Sequence, residues 1–275
     1  MGSRNRRPSI ELVKKWIALG YGQGEGTVYR PFFQVRDVPS KGRSAKVEGL
    51  KTGRVHHYLS DIEYHHHILA EYSTNVVDIR EQYALLPWEE TQAIARNLEI
   101  PHPIYPCTKT PIVMTSDLVL TLQNKELAVI SVKCAVDVEG TDGTQERTLE
   151  KLRIEQEYWK RRGILWVLST EKNISIVRAK NLALLRTAMV SRELDSEMQH
   201  FHAFVDIFQR EWGPHRSLDS ILTKTGEALR LSRDAAFCIF GRAVWLHRLP
   251  VDLEISIDHF TPVNLIGREA GDWHA

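Results

Sequence analysis

Asp117 and Lys133 lie in two β-rich runs, VMTSDLVLTL over 113–122 and ELAVISVK over 126–133, separated by Gln123, Asn124 and Lys125. Two such runs around a short polar break read as a hairpin. A three-residue loop sets Leu122 opposite Glu126, so that paired residue numbers sum to 248 and Asp117 faces Ser131. Side chains alternate along a strand, which puts Lys133 on the same face as Asp117 and Ser131. A register shift of two residues keeps the acid and the amine together, whereas a shift of one parts them. A carboxylate in that place can bind a hard cation. A lysine beside it can orient, or help deprotonate, a water next to the cation, which also offsets charge on a phosphate. The plainer reading of the same two residues is a cross-strand ion pair, worth about 0.2–1 kcal/mol.

Holding a cation takes a second acid. In nucleases patterned D…(D/E)xK that acid stands two residues before the lysine, where this chain has Ser131, a poor ligand by its side chain. Glu63, in SDIEYHHHIL, is the candidate to supply it, although a surface helix glutamate is its plainer reading. His56-His57 and His65-His66-His67 crowd both sides of Glu63. Three consecutive residues fan about 200° around a helix and cannot share one metal. The HExxH zinc spacing is absent. These histidines therefore read as surface or DNA-facing residues.

The elements that must position these groups follow from periodicity and breakers. Residues 9–19 form a short helix with Ser9 as N-cap and an apolar face of Ile10, Val13, Trp16 and Ile17. Gly20, Gly22, Gly24 and Gly26 follow as a turn, because a dinucleotide fingerprint would need a helix after them. Residues 27–54 are basic and loop-like, broken by Pro31, Pro39, Gly42, Gly49 and Gly53. A helix runs from Ser60-Asp61 to about Tyr72, then strand-like VVDI at 76–79, then a proline-rich stretch over 87–111 around one short helix. After the hairpin, a loop at 136–144 leads into a helix from Gln145 to Arg162, and ILWVLS at 164–169 is a further strand. The order α-β-(α)-β-β-α-β over 60–169 predicts an α/β layer with a mixed sheet. Residues 172–248 are helical in pattern, the tail VDLEISIDHFTPVNLI predicts a short terminal hairpin, and a boundary falls near 170.

Bulk properties narrow the class. The 275 residues are 43% hydrophobic and 26% charged, with no apolar run approaching a membrane span and no secretory signal. Three scattered cysteines make neither a disulfide framework nor a zinc pattern, which points to a reducing cytoplasm. The formal net charge of +1 hides an uneven distribution: residues 1–60 carry +8, residues 61–150 carry −9 and the rest +2. A basic arm beside an acidic middle suits a protein that grips phosphates on one surface and collects cations on another. A solvated basic tail would show the same pattern.

Several longer blocks resemble the TnsA family, the end-cleaving endonuclease subunit of heteromeric bacterial transposases. They are GQGEG with Tyr29 and Pro31, DVPSKGRS (37–44), KTGRVHHYLSDIE (51–63), VVDIREQYALLP (76–87), TSDLVL (115–120), VKCA (132–135) and QERTLEKLRIEQEYW (145–159). The resemblance implies a restriction-endonuclease-like catalytic domain over 1–169, a mixed sheet flanked by helices, and a mostly α, winged-helix-like interaction domain over 170–275. It implies catalytic residues Glu63, Asp117 and Lys133. Metal would be held by Glu63 and Asp117, with Ser131 through its backbone or side chain and Val132 through its backbone, since the family's usual Gln is Ser131 here. The implied cofactor is one or two Mg²⁺ ions, with Mn²⁺ as a substitute. The implied reaction is phosphodiester hydrolysis at the 5′ ends of the transposon, beside a DDE-type transposase and an AAA+ ATPase bound through the C-terminal domain. Arg30, Lys41, Arg43, Lys46, Lys51, Arg54, His56 and His57 are the expected DNA contacts. The competing readings are a stand-alone restriction or repair nuclease of the same fold and a catalytically silent DNA-binding assembly subunit.

Overall fold

A computed structural model describes residues 8–37, 43–140, 143–191 and 195–267. The chain divides into two compact units, Met1–Ile174 and Ser175–Ala275. No described helix is long and apolar enough to cross a membrane.

The first unit opens with α1 (Ile10–Ala18), capped by Ser9, whose side chain accepts from the Leu12 N–H. Val13 and Trp16 bury its inner face, while Ile10 is exposed. The glycines that follow are a built turn: Gly20, Gly22, Gly24 and Gly26 all have positive φ. At Gly22 a Cβ would land 2.2 Å from the Ala84 Cβ, so only glycine lets this loop lie against the sheet.

Residues 27–54, expected as loop, contain a strand, and a second follows. β1 (Ala45–Glu48) and β2 (Val55–Tyr58) form an antiparallel pair, with Ala45 opposite Tyr58. Four-residue strands are too short to show a clear alternation, and the breakers Gly49 and Gly53 proved to be the turn that joins them. Then come α2 (Asp61–Tyr72), β3 (Val76–Ala84), α3 (Trp88–Asn97), β4 (Thr115–Leu122), β5 (Leu127–Val132), the single turn α4 (Val136–Glu139), α5 (Gly143–Lys160) and β6 (Leu165–Ser169). β3 runs well beyond the expected VVDI, because Arg80 and Glu81 are buried and paired instead of ending the strand.

The main sheet has the order β3-β4-β5-β6, antiparallel except for the parallel β5–β6 pair. A parallel pair needs a crossover, and α5 supplies it. One face packs under α5 through Val119, Val129, Ile154, Tyr158 and Trp159. The other packs Ile79, Leu118, Leu120 and Val132 with Tyr58 and Ala70. The expected mixed α/β layer is therefore present, with the acid on β4 and the lysine immediately after β5.

The second unit is helical: α6 (Ile176–Val190), α7 (Phe201–Glu211), α8 (Leu218–Leu229) and α9 (Arg233–Trp245). Its core includes Leu182, Leu185, Phe204, Phe208 and Phe240. The expected terminal hairpin is reduced to one bridge, Val251 with Leu265. Asn181 of α6 explains why: its amide donates to the Leu253 and Ile255 carbonyls and accepts from the Ile257 N–H, taking groups that a partner strand would have used.

Candidate active site

The β4–β5 register is the one predicted from loop length. Leu118 pairs with Ile130 and Val119 with Val129, so the numbers sum to 248. The Asp117 and Lys133 side chains meet, with Lys133 Nζ donating to Asp117 Oδ2 at 2.8 Å. The same oxygen accepts the Val132 N–H at 2.7 Å, and Nζ also donates to the Val132 carbonyl at 2.8 Å. Burial opposes a charge on Lys133, but the Asp117 carboxylate outweighs it and holds the ammonium above its ordinary pKa.

Glu63 stands in the first turn of α2. Ser60 caps the helix by accepting from the Glu63 N–H, and Glu63 returns the contact by accepting from Ser60 Oγ (3.1 Å) and the Leu59 N–H (3.1 Å). This is a variant of the reciprocal capping box. A cap alone would favour an ionised carboxylate. Instead burial, and then the negative charge of Asp117, push the Glu63 pKa up to about 7. The strand acid is therefore near enough to raise the helix acid, and Lys133 partly offsets it.

Ser131 is fully buried, and its hydroxyl bonds Glu155 of α5 while accepting from the Trp166 indole at 3.2 Å. Ser116 donates to the same Glu155 oxygen at 2.6 Å and accepts from the Trp159 indole at 2.8 Å. With its hydroxyl spent in this way, Ser131 has only its backbone to offer a cation. Glu155 is the acid that motif reading passed over. Burial raises its pKa, and the charge of Asp117 raises it further. A signal existed: Glu155 lies three residues after Leu152 and four before Trp159, an acid inside the apolar stripe of α5. Asp117, Lys133, Lys151 and Glu155 share one open cleft.

The donor set suits a small hard cation. Among the described residues no three His, Cys, Asp or Glu side chains gather as a ready-made cage. Two carboxylates and a backbone carbonyl at Val132 would leave the remaining positions of a cation such as Mg²⁺ to water and phosphate. Burial first and the Asp117 charge second pull both Glu63 and Glu155 upward, and a nearby cation would oppose that pull.

The expected DNA contacts divide. Arg30, Arg43 and Lys46 are exposed, Arg30 lying over the Tyr21 ring at 3.5 Å, and Lys41 lies outside the described residues. Three others are not available to a phosphate. Arg54 donates twice to Glu81 (2.9 and 2.6 Å), fully buried His56 donates from Nδ1 to the same carboxylate at 2.8 Å, and Lys51 donates to the Ser73 and Val76 carbonyls. His57 is half-buried, with its backbone N–H on Glu81. The reading of the histidines as surface groups is likewise corrected: His56, His66 and His67 are buried. The Tyr58 hydroxyl holds His67 Nδ1 at 2.7 Å, and burial, followed by the neighbouring His65, lowers the His66 pKa to about 4.

Comparison with known proteins gives two matches. The family described as TnsA-like endonuclease N terminal matches residues 73–171, which include Asp117, Lys133 and Glu155. The transposon Tn7 transposition protein TnsA of Escherichia coli is 37% identical over 203 residues, 72% of this chain and 71% of that protein.

Proposed function

The chain belongs to the TnsA family of transposition endonucleases, and from that premise we propose that Glu63, Asp117 and Lys133 are the catalytic residues of a metal-dependent DNA endonuclease. The observation that carries the proposal is the shared electrostatics of the three groups, with Lys133 bonded to Asp117 and Glu63 titrating under the influence of both. Glu63, Asp117 and the backbone at Ser131 and Val132 would hold one or two Mg²⁺ ions, or Mn²⁺ in their place. A bound cation would acidify a water and offset charge on the scissile phosphate. Lys133 has three N–H donors, and Asp117 and Val132 use two. The third is free to orient the attacking water or a phosphate oxygen. Lys133 acts here as a hydrogen-bond donor. The water oxygen bonds to phosphorus, one P–O ester bond breaks, the departing ester oxygen ends as a hydroxyl with one of the water's two protons, and the other proton stays on the new phosphate monoester or passes to solvent.

The reaction we infer is cleavage at the 5′ ends of the transposon, within a complex that contains a DDE-type transposase and an AAA+ ATPase. The catalytic part corresponds to residues 1–169, of restriction-endonuclease-like fold, and the winged-helix-like part over 170–275 carries the ATPase contact. Arg30, Arg43 and Lys46 support a backbone grip on DNA, being exposed cations in the basic arm. The test is Asp117→Ala in the reconstituted complex. Cleavage of the 5′ strand should fall to background. The fold should survive with a loss of about 1–3 kcal/mol, because Lys133 and the Val132 N–H lose a partner. Normal 5′-end cutting by this variant would sink the assignment.

A further inference from the structure

Gln82 has φ +47 in the middle of β3, a left-handed backbone that L side chains seldom adopt. It is 3% exposed. The strand register pairs Glu81 with Leu118 and Tyr83 with Ser116, so Gln82 stands directly across from Asp117. Its side-chain amide donates from Nε2 toward Glu63 Oε2 at 3.4 Å, and its Oε1 accepts from Thr115 Oγ1 at 3.3 Å. One buried amide thus spans from the helix that carries one acid to the strand that carries the other.

The kink also changes what each face of the sheet presents. Before it, Glu81 points to the β1–β2 hairpin, where Arg54 and His56 hold its carboxylate. After it, Tyr83 packs toward Trp159 of α5, ring centroids 5.7 Å apart. The cross-strand partners follow: Leu118 belongs to the hairpin-side core, and Ser116 bonds Glu155 on the α5 side. Asp117 sits between them, where the strand changes faces. The unusual backbone is pinned on both sides. Tyr29 donates its hydroxyl to the Glu81 carbonyl at 2.9 Å, and the Phe32 N–H donates to the Gln82 carbonyl at 3.0 Å. A strained residue that its surroundings hold this firmly, in contact with a candidate catalytic acid, is the pattern of a functional constraint.

We propose that Gln82 is a positioning residue of the endonuclease site, fixing where the Glu63 carboxylate sits relative to Asp117. The inference rests on the reading of Glu63 and Asp117 as the catalytic acids. An amide suits the task because it is neutral and offers a donor. It can hold a carboxylate near a second carboxylate without adding charge of either sign.

The test uses the full chain with Gln82→Gly and Gln82→Asn. Both residues tolerate positive φ, so the kink is kept. Neither reaches Glu63, glycine having no side chain and asparagine being one methylene shorter. Calorimetric titration with Mn²⁺ should show binding weakened by about 10–100-fold, the usual effect of removing a group that orients a ligand. The Mg²⁺ concentration for half-maximal cleavage in the reconstituted complex should rise in parallel, with the thermal midpoint close to wild type. Unchanged cation affinity in both variants overturns the proposal, and so does loss of cooperative unfolding in both, which would make Gln82 a folding residue. Glu63→Gln separates the two levels of inference. If it binds and cleaves like wild type, the underlying site is wrong. If it is inactive while both Gln82 variants are normal, the positioning role alone fails.

Discussion

Glu63 bears two penalties of the same sign, lost hydration and the nearby charge of Asp117, which bring its pKa to about 7. In an unfolded chain a glutamate titrates near 4.3. Between those values the folded protein keeps a proton that the unfolded chain has released, so stability falls as pH rises through this window. Glu155, also raised, adds to the slope, whereas His66, held neutral to about pH 4, opposes it. The expectation is therefore stated as a difference. The thermal midpoint of metal-free wild type should decline more from pH 5 to pH 8 than that of Glu63→Gln, and Mg²⁺ should raise it more at pH 8 than at pH 6. Parallel pH curves for the two proteins would refute the buried-acid account. Of these residues, Asp117 and Lys133 were legible because a hairpin loop length fixes a register. Gln82 was not, since its position depends on a backbone kink that no spacing encodes, and Glu155 left only the mark of an acid inside the apolar stripe of α5.

At the scale of elements, the β1–β2 hairpin is fastened to β3 by charge. The Arg54 and Glu81 side chains are 8% and 0% exposed, and His56 completes the cluster. Removing one partner strands the other in a dry interior. Arg54→Ala should cost about 3–5 kcal/mol in urea unfolding, yet leave the salt dependence of DNA binding unchanged. Arg43→Ala or Lys46→Ala should do the reverse, reducing the salt slope by about 1 with little effect on stability. A salt slope that changed in Arg54→Ala at full stability would restore it as a phosphate contact. The sequence suggested one role, DNA contact, for all three because a basic run looks the same whether its members face water or a buried acid. The α2, β4, β5 and α5 segments were legible through caps and alternation. The hairpin was hidden by its own turn glycines, and the terminal segment looked like strands while its polar groups belonged to Asn181.

At the scale of the molecule, the two units have separate interiors. The sheet unit is built on Val119, Val129 and Trp159, and the helical unit on Phe204, Phe208 and Phe240. A fragment of residues 175–275 should fold cooperatively as a helical domain and capture the AAA+ ATPase, while a fragment of residues 1–174 should keep cation binding and lose that capture. Circular dichroism and pull-down with the purified ATPase would check both, and an unfolded 175–275 fragment would defeat the expectation. The sheet unit also has a property of practical use. Two of its tryptophans, Trp159 and Trp166, donate their indole N–H groups to the serine hydroxyls that hold Glu155. Both indoles are thereby two hydrogen bonds from the acid in the cleft, so a change in the charge on that acid should shift their emission, and a fluorescence titration with Mg²⁺ would read it.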